Sequence, residues 1–404
     1  MSASFWRVSY PEAWAEPPKL FSFSTLRGIE TCPLQWALRK ARYRLEGELR
    51  TGYPQRGALP RLVGQILHLA VETIVRTPVL DGQPSGVAQR LRTLGGLTVV
   101  LQRSQDAVLN DLEGNPRVAP LLPYLRTSLQ QELPRLRPKL QTLLANLPAW
   151  STPTKAVLLV GASALRRPVR SGTHSEVMLI SEELSWKGVA DLVTIEPSGC
   201  HILDFKTGKQ KDEHDLQLQV YGLLWGQDHV ANPSTSGVAR LTVRYDSIDR
   251  PVEPMSATQL GLLSEEIQRR TKMARSVVAS APPPAVPSTE ACSWCDVRHL
   301  CNSYWSEPVI SSVRPESALS DAEVEVGDRL AGSSYEARVV VSDRIPKGTS
   351  VVLRASPTHG HFGQVVLSGA RVRLLDAYLQ ISAVPNEPIT LFLGNTGEVF
   401  AVID

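Results

Sequence analysis

Apolar positions change their period along the chain, and each period predicts an element. Residues 60–77, PRLVGQILHLAVETIVRT, repeat at three and four residues, with Leu62, Ile66 and Leu69 beside Val63, Leu67, Ala70 and Ile74. That spacing predicts an amphipathic helix. Ser22-Phe23-Ser24 ahead of 25–30 is a helix-start signal, and 34–40 reads as a second helical stretch after Cys32-Pro33. From about 85 to 150 the text is Leu-rich, and its prolines predict several short helices broken near Pro116, Pro120, Pro123, Pro134 and Pro138. The pattern then turns to strands at 156–160, 176–180, 184–193 and 201–205, with turns near Gly161, Gly172 and Pro197-Ser198-Gly199. A helix from 215 to about 225, a strand at 239–245 and a helix at 257–278 follow. The proline-rich 281–287 is extended.

Beyond Trp305 the strand candidates are 335–341, 350–354, 364–367, 372–381, 389–393 and 399–403, separated by Gly and Pro. They predict a small all-β domain, with an OB-like barrel as the first choice. The expected organisation is an arm over 1–20, an α/β domain over 21–305 with a helical insertion at about 80–150, and a β domain over 306–404.

Composition narrows the class. The chain has 404 residues, 42% apolar and 21% charged, an ordinary globular balance. No run of 18 apolar residues predicts a membrane span, and the first twenty residues lack the pattern of a secretory signal. A cytoplasmic protein is expected. Residues 307–404 carry 8 Lys+Arg and 12 Asp+Glu, a net of −4, which leaves +7 on the rest. A mildly basic body suits a polyanionic partner without requiring one. Arg39, Lys40, Arg42 and Arg44 are candidates for backbone contact.

Five cysteines, an odd number, argue against a disulfide framework. Three form Cys292-x2-Cys295-x5-Cys301, a spacing that aims several thiolates at one metal centre. With a fourth ligand it fits either tetrahedral zinc or an iron–sulfur cubane.

The chemistry concentrates at Gly188-x2-Asp191 and Asp204-Phe205-Lys206-Thr207-Gly208. Carboxylates hold Mg²⁺ or Mn²⁺, which polarises a phosphate and acidifies water. Residues two apart on a strand share a face, so Asp204 and Lys206 reach one site, where the lysine can orient the attacking water and offset developing charge. Phe205 points to the core, and its backbone carbonyl is a further candidate ligand. Gly64-x3-His68 places an imidazole one turn from a glycine on a helix, and Gln217-x3-Tyr221 places an amide and a phenol beside the strand pair. Each pair alone reads more readily as a packed helix face.

Together, Ser24…Cys32-Pro33, Gly64-x3-His68, Gly188-x2-Asp191, Asp204-Phe-Lys206-Thr-Gly208, Gln217-Leu-x2-Tyr221 and Cys292-x2-Cys295-x5-Cys301 resemble the RecB-like branch of the PD-(D/E)XK nucleases over residues 21–305. The likeness is to its iron–sulfur members, the Cas4 nucleases and the AddB nuclease domain. The resemblance implies a restriction-endonuclease-like mixed sheet flanked by helices. It implies His68, Asp191 and Asp204 as metal ligands, Lys206 as catalytic, and Gln217 and Tyr221 as supports. An extra glutamate fits at Glu176, with Glu182 and Glu183 as rivals. It implies a 4Fe–4S cluster on Cys32, Cys292, Cys295 and Cys301, which leaves Cys200 as a core or turn thiol. The expected activity is metal-dependent DNA hydrolysis on single strands or ends, exonuclease rather than endonuclease, in repair, recombination or anti-phage defence beside a helicase or other partner. A catalytically silent DNA-binding subunit and a zinc-stapled interaction protein are the competing readings.

Overall fold

A computed structural model describes residues 5–402 apart from 46, 79–84, 146, 148, 149, 151–165, 246, 247, 314–318, 358 and 382–386. Local chemistry sets the first helices. Ser22 Oγ accepts the Thr25 amide at the start of α1 (Phe23–Thr31), and Pro33 opens α2 (Pro33–Lys40) at a position where its missing N–H costs nothing. A hairpin follows, β1 (Arg42–Leu45) and β2 (Glu48–Thr51), turning at Gly47 with φ 84°. The period-3.6 stretch forms α3 (Leu59–Arg76).

The helical layer continues with α4 (Val87–Leu94), α5 (Leu97–Asp111) and α6 (Leu122–Leu144). Here the expectation of proline-broken pieces fails, because α6 runs 23 residues through Pro134 and Pro138. An internal proline costs ~3 kcal/mol, but α6 buries Leu125, Leu129, Leu136, Leu140, Leu143 and Leu144 against α3 and α5. At about 1.5–3 kcal/mol for each buried leucine, that packing outweighs two lost hydrogen bonds. The strand expected at 156–160 and the turn at Gly161 lie outside the described residues.

Next come β3 (Gly172–Ser181), β4 (Trp186–Glu196), β5 (Gly199–Lys206), α7 (Glu213–Gln227), β6 (Val238–Tyr245), β7 (Asp249–Val252) and α8 (Ala257–Val278). They build a mixed sheet ordered β3-β4-β5-β6-β7, in which β5 and β6 are parallel and joined by the α7 crossover. One face packs Leu192, Leu203 and Phe205 on α3, α5 and α6, and the other packs Ala190, Ile202 and Val243 on α7, α8 and α1. Ser256 and Gln259 form a reciprocal capping box that starts α8 where the pattern predicted it.

The cysteine segment begins with α9 (Thr289–Cys292) and leads through α10 (Glu307–Val313) to the C-terminal strands. These are β8 (Leu319–Arg329), β9 (Tyr335–Ser342), β10 (Ser350–Ala355), β11 (Arg371–Gln380), β12 (Ile389–Leu393) and β13 (Glu398–Val402), with α11 (Phe362–Val365) between β10 and β11. The strand expected at 364–367 is therefore a helical turn, started by His361. The order β12-β10-β9-β8-β11 closes through a β11–β12 pairing into a five-stranded barrel, with β13 added on β11. The N-terminal arm joins it, since Val8 N donates to Ala401 O (2.7 Å) and Ala401 N to Trp6 O (2.9 Å). The arm, the cysteine segment and the barrel share one apolar core.

Candidate active site

The ladder between β4 and β5 ends at Leu192–Leu203, so the two strands fork at the next residues, Asp191 and Asp204. The Phe205 amide donates to Asp191 Oδ2 at 2.6 Å, bridging the fork, and the Phe205 ring lies in the helical core. Asp204 is buried, 2% exposed, and Lys206 Nζ stands 2.5 Å from its Oδ2. Burial and then Asp191 push the Asp204 carboxyl up, while Lys206 opposes them.

From the helical side, α3 delivers His68, whose Nδ1 lies 3.4 Å from Asp191 Oδ1. Burial alone would lower the imidazole, but the hydrogen bond and charge of Asp191, with Glu176 and Asp204, raise it above its ordinary value. The approach of α3 to the strand end is close. A Cβ on Gly64 would sit 3.3 Å from Thr207 Oγ1. From the edge strand, the register Ser175↔Leu192 and Val177↔Ala190 sets Glu176 opposite Asp191. Glu176 occupies the left-handed region at φ 51°, a conformation that costs a non-glycine residue about 1–3 kcal/mol and collects at functional sites. Burial, then Asp191 and Glu72, push its carboxyl up to about 7. Its rivals Glu182 and Glu183 are exposed in the β3–β4 turn.

His68, Glu176 and Asp191 each offer a ligand atom within 4.8 Å of the others, the one such group among the described residues. An imidazole nitrogen and two carboxylates, with the buried Asp204 behind, suit a divalent cation of the Mg²⁺ or Mn²⁺ type. They line a cavity of about 410 Å³ closed by Val108, Asp111 and Leu112 at the end of α5. Sequence reasoning missed Glu72 and Asp111 in this cavity. Glu72 lies four residues after His68 on α3, a signal that was present. Asp111 reaches the site only through helix packing and had no local signature.

On the opposite face, the Tyr221 ring covers Gly188. A Cβ there would meet its Cε1 at 2.7 Å. Gln217 Nε2 donates to the Tyr221 hydroxyl at 2.7 Å. Burial and the acidic cluster at Asp204 raise that phenol. The four motif cysteines, all free thiols, line one pocket with Gln35 and Arg298 between α2 and the 292–301 segment. Burial pushes the Cys301 thiol up to about 11 and Cys295 to about 12. Cys200 is fully buried in the sheet core. Two basic candidates are engaged elsewhere: Arg39 pairs with Asp296 (2.7 Å) and Arg44 with Glu12 (2.6 Å), while Lys40 and Arg42 are exposed.

No curated protein matches the chain. The crystal structure of SSO0001 is similar at 18% identity and a TM-score of 0.18, over 32% of this chain, which spans 59% of that protein. The pattern of the PD-(D/E)XK nuclease superfamily matches residues 20–302, a stretch that holds both arms of the strand fork, His68 and all four motif cysteines. The chain belongs to the PD-(D/E)XK nuclease superfamily.

Proposed function

We propose that the protein hydrolyses DNA phosphodiesters with Mg²⁺ or Mn²⁺, acting on single strands or ends as an exonuclease of the RecB-like, Cas4-like branch. The observation that carries this reading is the convergence of His68, Glu176, Asp191, Asp204 and Lys206 on one strand fork. The first four, with the Phe205 carbonyl, would hold the ion. When bound, the ion supplies Lewis acidity toward a phosphate oxygen and acidifies water. Lys206, held against Asp204, orients the attacking water and offsets charge on the phosphorane. Gln217 fixes the Tyr221 phenol, which packs on Gly188 and keeps the fork dry on that side.

We infer a 4Fe–4S cluster on Cys32, Cys292, Cys295 and Cys301, whose side chains line one pocket. The choice of the cluster over zinc rests on the resemblance. The cluster would staple Cys32 to the 292–301 segment. The C-terminal barrel reads as OB-like, supported by its strand order and the parallel pairing of β10 with β12. A cytoplasmic place in repair, recombination or defence, beside a helicase or other partner, rests on the resemblance. No helix among the described residues is long and apolar enough to cross a membrane.

The test is cleavage of end-labelled single- and double-stranded DNA by anaerobically purified protein, with Mn²⁺, Mg²⁺ or EDTA, beside Lys206→Ala. Metal-dependent cutting that falls about 10²- to 10⁴-fold in the variant is expected. Equal cutting by the variant, or none by wild type with either metal, overturns the reading.

A further inference from the structure

Past Lys206, away from the metal ligands, the end of the parallel strand pair presents a second polar group. The β5–β6 register sets Lys206 beside Tyr245. Both stand at the carboxyl ends of parallel strands joined by α7, the edge where open α/β sheets bind ligands. Tyr245 is 4% exposed, and its hydroxyl lies 2.8 Å from Nδ1 of His214, in the first turn of α7.

The direction of that hydrogen bond follows from what each group needs. A buried phenol has one hydrogen to place, and among the described residues its partner is His214 Nδ1. Nδ1 therefore accepts, and a neutral imidazole then carries its proton on Nε2. Burial and then Lys206 hold His214 below its ordinary value, which favours the neutral ring. Nε2–H has no partner among the described residues, and the side chain is half-buried rather than packed away.

The helix geometry aims it. His214, Gln217 and Tyr221 fall at i, i+3 and i+7, on one face of α7. Tyr221 packs on Gly188 beside the fork, and Gln217 is bonded to it. His214 therefore lies at the outer end of that row, near enough to Lys206 to feel its charge. The loop between β5 and α7 adds Lys209 and Lys211, both exposed.

We propose that His214 holds the phosphate next to the scissile one, donating Nε2–H to its non-bridging oxygen, with Tyr245 as the group that fixes the tautomer and the ring. This rests on the nuclease reading above. It adds a substrate contact outside the superfamily motifs, at the start of α7.

The experiment is single-turnover cleavage of an oligonucleotide panel in which one methylphosphonate replaces each linkage in turn. One neutral linkage beside the cut should slow wild type roughly 10- to 100-fold, the worth of one hydrogen bond to a charged oxygen. His214→Ala should lose the same factor on unmodified DNA and nothing further on that one modified substrate. His214→Gln, which keeps an N–H donor, should recover part of the loss, and Tyr245→Phe should fall between. A His214→Ala defect that multiplies equally on every substrate, or no defect, overturns the proposal. If wild type cuts nothing, the nuclease reading fails instead. The same comparison is then read from binding of the panel in Ca²⁺ by fluorescence anisotropy, where a uniform effect again overturns the contact.

Discussion

Replacing Asp321 tests what joins the cysteine segment to the barrel. Asp321 on β8 is fully buried, and Arg298, between Cys295 and Cys301, is 2% exposed. Arg298 Nε donates to Asp321 Oδ2 at 2.5 Å and Nη2 to Oδ1 at 3.1 Å. The Tyr304 hydroxyl (2.7 Å) and the Asp376 amide (2.8 Å) donate to the same carboxylate. Arg298 also reaches Asp376 Oδ1 at 2.9 Å and the Cys295 carbonyl at 2.9 Å. Asp321→Ala removes a bidentate partner from a guanidinium that water does not reach, and breaking a buried pair from one side costs about 3–5 kcal/mol. At 2–4 °C per kcal/mol, the unfolding midpoint should fall by roughly 6–20 °C. Asp321→Asn keeps the shape and should fall less, and Glu325→Ala, at an exposed position further along the same strand, should shift it by less than about 0.5 kcal/mol. Thermal unfolding by circular dichroism reads all three. Limited proteolysis between 305 and 319 should show the barrel released first. An Asp321→Ala midpoint within about 1 kcal/mol of wild type would refute the premise that this pair is closed to water.

Two further outcomes follow from the site. Gly188→Ala sets a Cβ 2.7 Å from the Tyr221 ring, so about 1–3 kcal/mol of overpacking and a fall in DNA cleavage should appear together in melting and turnover measurements; a fully active variant would show that Tyr221 has no fixed place at the fork. Glu176 is raised from 4.5 to about 7, so its contribution to stability is complete below pH 4.5 and is lost as pH rises through 7; the metal-free protein should soften across that window, Mn²⁺ should reverse the trend, and Glu176→Gln should flatten it in a melting series against pH.

What the sequence disclosed depended on whether a residue's job was local. The stretch from 257 and the period of 62, 66 and 69 announce α8 and α3 because a helix pattern is short-range, and the Ser256–Gln259 capping box that starts α8 is equally local. Asp-x-Lys is legible because strand alternation alone puts both side chains on one face. Choosing Glu176 over Glu182 and Glu183 needed the β3–β4 register, which depends on strand pairing and not on spacing. The hairpin β1–β2 was hidden because its strands, RYRL and ELRT, are heavily charged and continue the basic run after α2. β8 was missed for a related reason. Ala322, Val324 and Val326 face the barrel core and alternate with Asp321, Glu323 and Glu325, but small side chains among acids read as a solvated turn, and only the fold shows that Asp321 and Glu323 are buried where they hold Arg298 and Arg373.

Those buried charges tie the barrel to the cavity wall as well as to the cysteines. Glu398 on β13 takes two hydrogen bonds from Arg117 (2.8 and 2.6 Å) and an ion pair from Arg56 at 2.9 Å. Arg117 also donates to the carbonyls of Pro54 (3.0 Å) and Asp296 (2.8 Å), so one fully buried side chain touches the run into α3, the cysteine segment and the last strand. His299, wholly buried, stacks on Phe400 at 3.9 Å beside these arginines, and they hold its ring neutral after burial has already lowered it. Arg117 lies six residues after Asp111, which closes the metal-site cavity at the end of α5. The α5–α6 connection is thus pinned at Glu398, in the same buried network as the cysteine segment. The C-terminal barrel is therefore joined by buried ion pairs to the connection that follows the cavity wall, and Arg117→Ala should loosen both together.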